Sequence, residues 1–278
     1  MQKSTDNRLR SIQHLAVLDG WFQPETDNTA RYKLHLNASF RAERLGGTEE
    51  SNIHFRIELR QCEIVVILPE NGNGFAVDRS TVARSVPNSS LRITDKTHTS
   101  TGVEGAVDVG LDGKKPKLGF LGRISGKRQA STDTEYVRDA PLLETQHSMS
   151  VDEHRSWIVT SPINVLRGSL WDPELEPRFT MIDQRSPDTV EAERARNLSP
   201  TAIVQVRCKR EDVHIDDVKF KDLEEDGIRQ NRQNQAVRQR AAEAFLKAEI
   251  QRQRLRVGDI HDKFSDMTLA EYVIPLFE

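Results

Sequence analysis

The first half of the chain is dominated by alternation of apolar and polar residues. In Arg31–Ala42, Tyr32, Leu34, Leu36, Ala38, Phe40 and Ala42 alternate with Lys, His, Asn, Ser and Arg, the period of a half-buried strand. Ile53, Phe55, Ile57 and Leu59 repeat the pattern against His54, Arg56, Glu58 and Arg60. Cys62 to Leu68 is apolar except for Glu63, so a strand covered on both faces is expected there. Asn71-Gly72-Asn73-Gly74 then predicts a hairpin turn, with Phe75-Ala76-Val77 opening the return strand. So many strands with no room for crossover helices predict antiparallel sheets. Ahead of them, Leu9, Ile12 and Leu15–Ala16 share a helical face. Asp6–Leu18 therefore reads as a short leading helix ended by Gly20, and Trp21 to Pro24 as a turn.

Large apolar residues thin out over 85–155, where Ser, Thr, Gly, Lys and Asp take over. One unit stands out within it. Val103, Gly105, Val107, Val109 and Leu111 alternate with Glu104, Ala106, Asp108 and Gly110. Asp112 to Pro116 makes a turn, and Leu118, Phe120, Gly122 and Ile124 alternate back. This predicts a glycine-rich amphipathic hairpin. Gln129–Thr134 and Glu144–Ser150 read as exposed loops. Further strands are expected at Trp157–Val159, Ile163–Leu170, Arg178–Ile182, Ala202–Cys208 and Val213–Phe220. Ser186 followed by Pro187 marks a short helix that Asn197 can stop. Val204–Val213 faintly echoes Phe55–Ile64, each with Arg, Cys, an acid and a β-branched residue in similar order. Duplication of a β-module is one account of the echo, chance the other.

The period changes to helical over Gly227–Val257. Val237, Ala241, Ala244, Phe245 and Ala248 recur at helical spacing among strong helix formers. An acidic run, Asp216 to Asp226, precedes this stretch. Arg252, Arg254 and Arg256 close it, and Gly258 stands where a helix-ending glycine belongs. Thr268 and Glu271 then form a capping box for a last helical turn before Pro275. Tyr272, Ile274, Leu276 and Phe277 leave an apolar tail.

The fold these patterns predict is mainly β. Antiparallel sheets are set in one or two sandwich-like modules, followed by a long basic C-terminal α-helix. The parts are 1–84, an N-terminal β-module with its leading helix; 85–155, a loop-rich middle carrying the 103–124 hairpin; 156–222, a second β-rich part; and 223–278, the basic helix and apolar tail.

Composition narrows the functional field. Among 278 residues, 36% are hydrophobic and 30% charged, with a net charge of −3. From Arg229 to Arg256, however, eight basic residues stand against Glu243 and Glu249, so a basic rod sits on an acidic body. Two cysteines without a CxxC exclude a zinc ribbon, and buried reduced thiols in the cytoplasm are the expectation. No stretch has the length of a transmembrane helix.

Chemistry is sparse. The Walker spacing fails because Leu121 occupies the first glycine position, no GxGxxG opens a helix, and GxSxG is absent. Asp212, His214 and Asp216 share a strand face, which reads more readily as solvated sheet than as a metal site. His147, Asp152, Glu153 and His154 read as polar loop. Asp212 with Asp217-Val-Lys219 fits a metal-nuclease tripeptide too common to carry weight. No enzyme activity, cofactor or metal is therefore expected.

The leading expectation is a structural or adaptor subunit of a larger assembly. It would meet a protein partner, or a second copy of itself, through Val237, Ala241, Phe245, Ala248, Tyr272, Ile274, Leu276 and Phe277. The alternative is nucleic-acid binding along the phosphate backbone. It would use Arg229, Arg232, Arg238, Arg240, Arg252, Arg254 and Arg256, together with Lys114, Lys115, Lys117, Arg123, Lys127 and Arg128. A further alternative is an effector that inserts the 103–124 hairpin into a membrane.

Overall fold

A computed structural model describes residues 9–12, 14–47, 51–69, 74–84, 90–100, 131–141, 143–171, 176–220 and 232–277, with 90–100 and 131–141 described at the level of the backbone. The first strands are β1 (Leu9–Ser11), β2 (Ala16–Glu25), β3 (Asn28–Phe40), β4 (Glu43–Gly46), β5 (Ile53–Leu59), β6 (Cys62–Ile67) and β7 (Phe75–Asp78). They are followed by β8 (Ser90–Ser100), β9 (Ser131–Pro141), β10 (Glu144–Met149), β11 (Arg155–Thr160), β12 (Gly168–Ser169) and β13 (Phe179–Asp183). The chain then runs through α1 (Pro187–Ala195), β14 (Thr201–Lys209), β15 (Val213–Phe220), α2 (Arg232–Arg252) and β16 (Asp266–Pro275).

The protein is mainly β, with antiparallel sheets. The chain divides into two compact units, one comprising 1–89 and 141–278, the other 90–140. In the larger unit a six-stranded sheet runs β1-β16-β14-β6-β11-β10. A second sheet is built on β3, which pairs with β2 on one side and with β12 and β13 on the other, and β7 pairs with β13. A third sheet runs β15-β5-β4. In the smaller unit β8 and β9 pair with each other in a two-stranded sheet.

Alternation carries the packing. β14 is buried at every second residue, Ala202, Val204, Val206 and Cys208, as a strand with one face on a core must be. β6 is buried at Ile64, Val65 and Val66 in succession, as its unbroken apolar run implies. One cluster of buried side chains joins all three sheets and α2, including Leu36, Ile57, Val204 and Leu246. Strands from 1–84 and from 156–222 contribute to this one core, β6 lying between β14 and β11.

The chain crosses between sheets at two corners. β5 belongs to the three-stranded sheet and β6, only two residues on, to the six-stranded one. β14 and β15 make the reverse passage through the turn Arg210–Asp212. The corners touch: Arg60 N donates to the Asp212 carbonyl at 2.8 Å, and an Arg60 guanidinium nitrogen lies 3.0 Å from His214 Nδ1. The two segments that echo each other in sequence are thus antiparallel neighbours in both sheets, each doing the same corner-turning work.

Several expectations are corrected. Of the residues read as a leading helix, Leu9–Ser11 form β1 and Ala16–Leu18 begin β2, and Trp21 to Pro24 continue β2 rather than turn. Gly20 sits in mid-strand because the backbone there is crowded. A Cβ would lie 2.6 Å from the His35 carbonyl oxygen and 3.1 Å from Ile274 Cδ1. Phe75 does not return along β6; β7 joins the second sheet beside β13. Glu144–Met149 and Ser131–Pro141 are strands, whereas within Ile163–Leu170 only Gly168–Ser169 is one. The capping-box residues Thr268 and Glu271 lie inside β16, whose cross-strand pairing with β14 outweighs a local helix signal.

Two helix signals hold. Ser186 caps α1, its side chain accepting from Thr189 N, with Pro187 in the first turn. α2 ends earlier than Gly258. Arg254 takes the left-handed conformation (φ 58°), its N–H donates to the Gln251 carbonyl at 2.9 Å, and Leu255 N–H donates to the Ile250 carbonyl at 3.1 Å. That is a Schellman stop with arginine in the position usually held by glycine, completed by the buried pair Ile250 and Leu255.

Candidate functional site

Within the larger unit, a cavity of about 670 Å³ opens between the outer part of β2–β3, the segment after α1 and the end of β16. Its walls are aromatic. Trp21 is 37% exposed and stacks on His35 with ring centres 5.2 Å apart and planes at 6°. Phe22 comes from β2 and Tyr32 from β3, where Tyr32 pairs with Pro24, and Phe277 closes the wall 6.1 Å from Tyr32. Gly20 and Ile274 line the cavity too, so the missing Cβ at Gly20 is part of its shape.

Phe277 is held by its backbone. Its N–H donates to Ser199 Oγ at 2.8 Å, and Leu276 N–H donates to the Pro200 carbonyl at 2.8 Å. The segment that supplies these acceptors follows Asn197, whose left-handed backbone (φ 52°) turns the chain out of α1.

One charge enters the cavity. Arg194, in the last turn of α1, places its guanidinium 4.5 Å from the centre of the Phe277 ring, and one of its nitrogens lies 3.4 Å from Tyr32 Oη. Among the described residues no carboxylate lines the cavity. Burial pushes the Tyr32 hydroxyl up from its ordinary pKa, while Arg194 pulls it down. A cavity of this size and lining can hold a small ligand against flat apolar walls and fix one anionic group at its mouth.

The surfaces expected to meet partners are placed differently. Tyr272 and Ile274 are buried in the chain's own six-stranded sheet, Leu276 is buried just beyond its last strand, and Phe277 forms the cavity wall. On α2 the buried stripe is Ala242, Leu246 and Ile250, shifted by one position from the one expected. Val237 is 63% exposed, Ala248 is exposed, Ala241 is half-buried, and Phe245 meets Phe55 edge-to-face at 5.8 Å. Glu243 ties the helix to the body, whereas among the described residues Glu249 bonds only within the helix and its last turn. Glu243 accepts from Arg210 at 2.6 Å and lies 3.2 Å from His261 Nδ1, and Glu249 accepts from Arg252 at 2.7 Å and Gln253 at 3.2 Å.

Of the candidate nucleic-acid contacts, Arg240, Arg252, Arg254 and Arg256 are exposed and Arg238 is half-buried. Arg232 begins α2, while Arg229, Lys114, Lys115, Lys117, Arg123, Lys127 and Arg128 lie outside the described residues, as does the 103–124 hairpin. Among the described residues no group of three His, Cys, Asp or Glu has metal-holding geometry. Asp212 instead accepts from Lys209 N at 3.1 Å, and Lys219 pairs with Asp217 at 3.3 Å. Cys62 and Cys208 are buried free thiols.

The cavity was not foreseen from sequence, because its walls come from 20–32, 194–199 and 274–277. The one local signal was Trp21, an aromatic on the polar side of an alternating strand. No described helix is long and apolar enough to cross a membrane.

No protein-family model matches the sequence, and no curated protein matches it. A solved structure of the Clostridium perfringens NetB toxin in the membrane inserted form aligns over 69% of this chain and 82% of that chain, at 8% identity and a TM-score of 0.24. Likeness at that level is too slight to assign a fold or an activity to this chain.

Proposed function

We propose that the protein is a self-assembling, membrane-inserting protein that delivers the 103–124 segment to a lipid bilayer from a β-sandwich body. The observation that carries this reading is the separate unit 90–140. Its strands β8 and β9, of 11 residues each, form a ribbon that frames the alternating stretch. At about 3.3 Å per residue such a ribbon reaches roughly 35 Å. Val103–Leu111 spans nine residues with an apolar residue or glycine at every second position, the length of one tilted membrane-crossing strand. Its small and polar alternate residues suit the inner wall of a barrel. One hairpin leaves unpaired backbone edges, which the hydrocarbon region does not tolerate, so several copies must close a barrel together. This retains the expected self-association and moves its seat from the tail and helix stripe, whose apolar residues pack largely within the chain, to the hairpin.

The test is release of an encapsulated dye from lipid vesicles. Wild-type protein is expected to release it, and Val107→Lys to suppress release while leaving the thermal melt of the body unchanged. A cation at mid-bilayer on a lipid-facing position costs about 2–4 kcal/mol per copy. Equal release by the variant, or no release by the wild type across neutral and anionic vesicles, would overturn the proposal.

A further inference from the structure

Several arginines of the larger unit are neutralised by carboxylates where they approach the core. Arg31 bonds Glu25 and Asp78 at 2.9 and 2.7 Å, Arg178 bonds Glu176 at 3.0 Å, and Arg210 bonds Glu243 at 2.6 Å. Arg185, close to the cavity, is saturated by Asp183 at 2.8 Å and Glu193 at 2.7 Å. Arg194 is exposed and lies against the cavity. Its contacts are the π face of Phe277 and the neutral Tyr32 hydroxyl, and among the described residues it makes no ion pair. It does so at the mouth of an aromatic cavity that has no carboxylate among its described lining residues.

We infer that the cavity bounded by Trp21, Phe22, Tyr32, Phe277 and Arg194 binds an amphiphilic organic anion, its apolar body against the aromatic walls and its phosphate or similar anionic head on the Arg194 guanidinium. A guanidinium presents parallel donors that match the oxygens of such a head. The Phe277 ring under its other face keeps the fork oriented, so little side-chain freedom remains to be lost on binding. Tyr32 Oη, within reach of the same nitrogen, is a neutral hydroxyl able to donate to the same head. A wholly neutral ligand would leave the guanidinium unused, and a cationic one would be repelled by it. The site is independent of the membrane proposal, since every wall belongs to the larger unit. The same chemistry is offered by an anionic lipid and by a soluble organophosphate.

The probe is 8-anilinonaphthalene-1-sulfonate, an aromatic anion that fluoresces in apolar sites, titrated against the full chain. One saturable site is expected, displaced by dodecyl phosphate below its micelle concentration but not by the neutral dodecyl maltoside. Arg194→Gln, at an exposed position, is expected to weaken the probe at least tenfold with an unchanged thermal melt, and Arg194→Lys to weaken it less. Cosedimentation then separates the sources. Arg194-dependent binding to phosphatidylglycerol vesicles over phosphatidylcholine vesicles identifies a lipid, and displacement by dodecyl phosphate without such a difference identifies a soluble ligand. Equal affinity of Arg194→Gln for the probe, or equal displacement by dodecyl maltoside, would overturn the inference.

Discussion

Replacing Leu246 by alanine tests where α2 meets the body. Leu246 is 0% exposed and packs in the shared core with Ala242 and Ile250. Removing a fully buried leucine side chain forfeits about 1.5–3 kcal/mol of transfer free energy. The adjoining strands β5 and β15 are hydrogen-bonded in their sheet and cannot collapse onto the void, so a cavity term brings the expected loss to about 3–4 kcal/mol, within the 2–5 kcal/mol typical of such changes. Val237→Ala is the matched control. Val237 is 63% exposed, and alanine is the better helix former, so its effect is expected within about 0.5 kcal/mol of zero. The assay is urea unfolding followed in parallel by helix circular dichroism and by tryptophan fluorescence. Trp21, Trp157 and Trp171 all lie outside α2, so coincident transitions would report one cooperative unit. A Leu246→Ala loss below about 1 kcal/mol, or a comparable loss from Val237→Ala, would refute the assigned packing face.

Three further outcomes are expected. Glu243→Ala should cost about 1.5–3 kcal/mol in the same unfolding assay, because it strands Arg210, whose side chain is 11% exposed; a loss under 0.5 kcal/mol would count against the tie. Asp78 is held at a pKa of about 2 by hydrogen bonds from Ser80 and by Arg31, below its ordinary 3.8, so its contribution is complete above about pH 4 and is lost as the pH falls through about 2; Asp78→Asn should therefore flatten the acid limb of stability against pH, and an unchanged limb would contradict this. Burial drives the Cys62 and Cys208 thiols well up, so neither should react with a thiol reagent at pH 8 until urea unfolds the chain, and rapid labelling of the native protein would exclude that burial.

The parts of this fold that were legible in sequence are those whose pattern is local. β5 is bounded as its alternation predicts, and α1 begins at its serine cap, because a two-residue period and an N-cap need nothing from the rest of the chain. The failures share a cause. Leu9, Ile12 and Leu15–Ala16 fit a helical face, yet Leu9–Ser11 pairs with Ala270–Tyr272, some 260 residues away. Thr268 and Glu271 read as a cap, yet they pair with Arg207 and Gln205. On α2 the exposed positions read as the contact stripe because alanine is equally at home on either face; the buried leucine and isoleucine were the more reliable markers. The cavity was less visible still, since Arg194 and Phe277 become neighbours only when β16 is in place.

The position of β16 also sets when the protein can exist. It lies between β1 and β14, and β14 lies between it and β6, so the oldest strands of the six-stranded sheet wait for the newest. A ribosome adding about 5–20 residues per second reaches β16 roughly 10–40 s after completing β6. Until Thr201–Lys209 is made, β6 carries a nearly unbroken apolar run with no β14 to pair with, and by then the 103–124 stretch has already been made. Nascent chains are therefore expected to depend on holding factors during synthesis, and polypeptides halted before Asp266 to be cleared rather than stored. Any membrane activity would then await translation of the closing strand.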